Sequence, residues 1–137
     1  MIYKIPEKIL AELECILRLK FRYTNEVLEH TKELGNIDTK DYISLRIILQ
    51  MRGQALENCM LQDRFIEDVL KRNSYEDDKI YRLFIKGEQK EVSLYGDDIG
   101  KNILLIIDKI NGIKKQTLEV DRDLNERLLG EESYYRK

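Results

Sequence analysis

Apolar side chains recur every three or four residues through most of this chain, the period of a helix with one buried face. The first stripe is Leu10, Leu13, Leu17, Phe21, Thr24, Leu28 and Thr31. It begins after Pro6, tolerated at a first helical position because its missing N–H would be unpaired there anyway, and stops at Gly35, which adopts a left-handed cap cheaply. This predicts a helix over 6–34. Only "GNI" separates it from Asp38, a suitable N-cap with Ile37 and Tyr42 as a hydrophobic staple. So short a connection forces an antiparallel pair. The second helix, 39–72, carries Leu45, Leu49, Arg52, Leu56, Cys59, Asp63, Ile66 and Leu70, alternating by four and three. Arg52 and Asp63 interrupt this stripe about 16 Å apart at ~1.5 Å per residue, too far to neutralise each other. Each needs a partner from elsewhere or a place at the margin of the seam.

Residues 73–97 are the least regular part. Ser74 and Asp77 resemble a capping box ahead of Ile80, Leu83 and Phe84, which predicts a short helix over 76–86. Between Gly87 and Gly96 the chain reads as loop or a brief extended segment around "EVSLY". The connection is long enough to reach either end of a bundle, which leaves the topology after the second helix open. Asp97 is the cap expected for a last helix over 98–129, whose seam is the most regular: Ile99, Ile103, Ile106, Ile110, Ile113, Thr117, Val120 and Leu124. Leu104 and Ile107 widen it. Contact on one side alone does not order so long a helix, which must therefore touch neighbours on more than one. Gly130 supplies the stop and 130–137 is a tail. The expected architecture is all-α, a single domain built as an antiparallel bundle of three long helices with one short helix in the connection from the second to the last.

Some apolar residues fall outside the seams. Leu105 lies about 200° round from Ile103 at ~100° per residue and should face solvent. Leu118 and Leu129 also leave the seam of the last helix, and the tail adds Tyr134 and Tyr135. These five are the candidate partner-binding residues, a spare apolar strip for a client helix or for a second copy of the chain.

Composition narrows the function classes. Of 137 residues, 42% are apolar and 36% charged, with one Pro and seven Gly, the balance of long amphipathic helices. A net charge of −2 with both signs mixed along the chain gives no basic field for nucleic acid. The longest aliphatic run, 103–107, falls far short of the roughly 18 residues of a membrane span, and the N-terminus lacks the apolar core of a signal peptide. No membrane insertion is expected. Cys15 and Cys59, without partners at metal spacing, fit a reduced, cytoplasmic compartment.

Catalytic chemistry finds little support. His30 is the single histidine, within reach of Glu26, but a di-metal Glu-x-x-His motif would need a carboxylate where Val27 stands. Both cysteines lie in helix-forming contexts with no electropositive turn beside them. "YGDDIG" and "DRD" lack the ligand count and glycine position of a calcium loop. No catalytic residue, metal site or cofactor is expected.

The order of a long helix, a "GNID" break, "DYISLRIILQMRGQALENCMLQDRFIEDVL", an irregular region and a last helix ending "NGIKKQTLEVDRDLNERLL" resembles the small flagellar export chaperones of the FlgN-like group, with the FliT-like group close behind. The residues carrying the resemblance are Leu45, Leu49, Arg52 and Leu56 after the break, and Asn111, Leu118, Asn125 and Leu128 in the last helix. It implies a cytosolic, non-enzymatic chaperone that holds an amphipathic helix of an unassembled flagellar subunit. The alternative from the residues alone is a self-associating helical adaptor without a client.

Overall fold

The structure, a computed structural model, describes residues 2–75, 77–89, 93–94 and 98–131, and the side chains of 4–75, 77–89 and 98–126. Among these residues the regular structure is helical except for one two-residue parallel ladder, Ile2–Tyr3 (β1) with Ser93–Leu94 (β2). The helices are α1 (Glu7–Gly35), α2 (Tyr42–Arg72), α3 (Asp78–Lys86) and α4 (Asp98–Glu131). Helices α2 and α4 both pack on α1 rather than on each other, so α1 is the middle helix.

The ladder sets the direction of α4. Both α1 and α4 start shortly after a strand of the same parallel pair, and further along Leu17 and Lys20 line one small cavity with Ile110, Asn111 and Lys114. The two helices therefore advance in step. This is the up-down-up course of an antiparallel bundle: α2 runs against α1, and α4 runs back against α2 and so along α1, which settles the direction the sequence left open. The connection after α2 folds back at the end where Arg72 meets Glu12 at 2.8 Å and does not traverse the bundle.

Local chemistry fixes the helix ends, in several places not where the spacing puts them. Helix α2 is capped by Asp41, which accepts from the Ser44 N–H at 3.1 Å, a bond that holds its carboxyl below the usual range. Asp38 instead accepts from the Lys40 N–H at 3.0 Å, within the turn, so the helix starts later than 39. Gly35 stays helical and Asn36 closes α1. Ser74 is not a cap for α3 but the left-handed residue that ends α2, at φ 61°. Its N–H donates to Lys71 O and that of Tyr75 to Leu70 O, the two bonds of a Schellman motif. Asp77 alone caps α3 through the Lys79 N–H at 2.7 Å. Gly130 does not stop α4, which continues to Glu131, while the proposed cap Asp97 lies outside the described residues.

The seams themselves run as heptads, shifted from expectation. Helix α1 buries Leu10, Leu13, Leu17, Lys20, Thr24, Val27, Thr31 and Leu34, with the expected Leu28 buried beside Val27 and Lys20 taking the slot assigned to Phe21. In α2 one column of the expected seam holds, with Leu45, Arg52, Cys59 and Ile66 facing inward. The other is displaced by one residue in its first half, to Ile48 and Ala55, while further along Leu70 is buried as expected beside Val69, and Asp63 turns inward beside Gln62. Ile48 is 7% exposed against 53% for Leu49, and Ala55 2% against 44% for Leu56. In α4 the core is deep at Ile103, Ile106, Ile107 and Ile110, then only half-buried from Ile113 to Leu124. Ile80, Leu83 and Phe84 of α3 cover the same end as the deep part of α4, so burial is lopsided.

Candidate protein-interaction surface

The displaced column of α2 leaves its leucines outside. Nine of the thirteen large apolar side chains exposed among the described residues sit on this one helix, between Tyr42 and Phe65. A helix that packs with only one face normally shows water a polar back; this one shows it two apolar strips, one either side of its buried seam.

The first strip looks toward α4. Arg52 donates from Nη2 to Asp121 Oδ2 at 3.0 Å and so bridges α2 to α4, while its buried Nε has no partner among the described residues. One turn from Arg52, about 40° further out, lies Leu56; one turn from Asp121 in the matching axial direction, about 60° further out, lies Leu118. Leu49 and Met60 extend the same side of α2. These four exposed side chains are the lips of a cleft between α2 and α4, with the ion pair across its floor.

The second strip looks the other way, over the groove between α2 and α1. Ile43, Ile47, Met51, Gln54, Asn58, Leu61 and Phe65 follow one another at spacings of three and four, a second heptad-like seam without a charge on it. Gln54 Nε2 donates to Asn58 Oδ1 at 3.4 Å in its middle. Leu19 of α1 borders it, and beside Phe65 a concavity of about 560 Å³ opens between the helices, lined by Glu12, Cys15, Ile16, Asp68, Val69, Lys71 and Arg72.

Leu105 and Leu118 are both exposed, but they point about 140° apart at ~100° per residue and do not share a strip. The side chain of Leu129 and the whole of Tyr134 and Tyr135 lie outside the described residues. Of the five expected partner residues, the fold thus sets Leu118 among other apolar neighbours, and it adds Met60 together with Leu49 and Leu56, two residues the heptad count had placed inside.

Beneath the cleft is a polar centre. The Lys20 ammonium, buried in the core, bonds Asp63 Oδ1 at 2.7 Å and Ile85 O at 3.0 Å. Each interruption in the expected α2 seam therefore has a partner from another helix: Lys20 for Asp63, Asp121 for Arg52. Cys59 Sγ lies 3.6 Å from Thr24 Oγ1. The fold does bring two cations, Lys20 and Lys114, near this thiol, yet burial outweighs them and pushes it above its ordinary value. Partial desolvation and the Lys20 charge in turn lower Lys114. His30 pairs with Glu33 Oε1 at 3.3 Å rather than with Glu26, which takes Arg22. Among the described residues no three His, Cys, Asp or Glu side chains are grouped to hold a metal ion, and no helix is long and apolar enough to cross a membrane.

Neither a family model, nor a curated protein, nor a solved structure matches this chain. The surface itself is the ground for a functional reading.

Proposed function

We propose that this is a non-enzymatic, cytoplasmic binding protein that lays an amphipathic helix of a client subunit into the cleft between α2 and α4, in the manner of a flagellar-type export chaperone. The observation that supports it is the placement of Leu49, Leu56, Met60 and Leu118 along both lips of one cleft. A client helix with apolar residues at spacings of three and four would bury its own stripe against these side chains, the helix-in-groove mode of recognition. The ion pair between Arg52 and Asp121 would lie under it. The raised thiol of Cys59 and its half-buried position fit a structural cysteine and not a nucleophile.

The test is titration of labelled C-terminal helices of flagellin-like and hook-junction subunits, read by fluorescence anisotropy. Micromolar binding is expected for at least one, weakened roughly tenfold or more by Leu56→Asp with Leu118→Asp, a loss of about 1.4 kcal/mol or more. Circular dichroism of the double variant should match the parent. Absence of binding to every such tail, or binding indifferent to both substitutions, would contradict the reading.

A further inference from the structure

We infer that the uncharged strip on α2 is a two-fold interface with a second copy of this chain, the two α2 helices antiparallel and crossing at Gln54. The strip is close to symmetric about Gln54. Ile43 and Phe65 lie equally far from it in sequence, as do Ile47 and Leu61; Asn58 has Gln50, beside the strip, as its counterpart, and Met51 has Glu57, whose stem it would meet. An isologous contact requires this, because each residue meets the one at the same distance on the other side of the axis. Antiparallel packing sets Ile43 of each copy on Phe65 of the other and Ile47 on Leu61.

Shape and charge follow the same symmetry. Ile43, at 76%, is the most exposed of the large apolar side chains described, and the 560 Å³ concavity lies beside Phe65, about 33 Å away along the helix at ~1.5 Å per residue. The two-fold carries each copy's knob to the other's hollow. Lys40, just ahead of α2, and Asp68, near its end, are also equally far from Gln54 and of opposite sign, which places an ion pair at each rim. In the middle, Gln54 and Asn58 supply neutral amides, and polar groups in a helical seam fix register more than they add affinity. Arg46 and Arg64 border one edge, where long stems can turn their charges to water. The α2–α4 cleft is not used, so client binding and pairing are separable.

The experiment uses the full chain with Cys15→Ser and Cys59→Ser. Sedimentation at micromolar concentration should give twice the chain mass, and Ile47→Asp, at an exposed site, should return it to one chain with an unchanged circular dichroism spectrum and a melting temperature that no longer rises with concentration. Mixed Ile47→Cys and Leu61→Cys chains should form disulfides with each other roughly tenfold faster than either forms with itself, since only the antiparallel register brings those two together. A single-chain mass for the parent, a dimer that survives Ile47→Asp, or faster linking of Ile47→Cys to itself would each overturn the inference.

Discussion

Lys20 stands where the heptad of α1 demands an aliphatic side chain, and it is held there by Asp63 and by the carbonyl of Ile85 at the end of α3. Its charge made it invisible to a count of apolar positions, which passed the slot to the neighbouring Phe21. Arg52 and Asp63 were legible as interruptions needing partners from elsewhere, though which partners depended on tertiary placement. Asp63→Asn should destabilise by about 3 kcal/mol, because the buried ammonium keeps its desolvation cost and loses its counter-charge. Lys20→Met should cost less than about 1 kcal/mol, since it removes that cost together with the bond. Urea denaturation of both variants decides the point: a larger loss for Lys20→Met would mean the ion pair is a net source of stability.

Among the elements, helix content was the most legible feature, because a period near 3.6 survives local irregularity. Rotation of a helix about its axis was less so. In α2 two columns compete, Leu49 and Leu56 against Ile48 and Ala55, and leucine outweighs alanine in any count of hydrophobicity although only the second pair is buried. Turn chemistry was legible as to kind and displaced as to residue, since Asp38 and Asp41 are both competent caps. The end of α3 rests on a position that nothing but glycine suits. Gly87 has φ 72°, and a Cβ there would run into Asn111 Oδ1, whose amide donates to the Gly87 carbonyl at 2.9 Å. Gly87→Ala should therefore lose about 1 to 3 kcal/mol, combining left-handed strain with a broken tie between α3 and α4. Thermal melting with no shift would show that this cap is dispensable.

At the scale of the molecule, the parallel course of α1 and α4 was not legible, because the long connection between α2 and α4 permits either direction and the brief ladder that decides it lies far apart in sequence. The core is lopsided: the end shared by α1, α3 and α4 is densely packed, while α2 leaves nine large apolar side chains exposed between Tyr42 and Phe65. Both proposed contacts, the cleft lip and the two-fold strip, depend on how α2 is turned relative to α1. The most direct test is the melting temperature of Ile48→Asp beside that of Leu49→Asp. The first should lose several kcal/mol or fail to fold, through a carboxylate forced into the seam, and the second should melt within a few degrees of the parent. The reverse order would restore the leucines to the core and remove the surface on which both contacts rest.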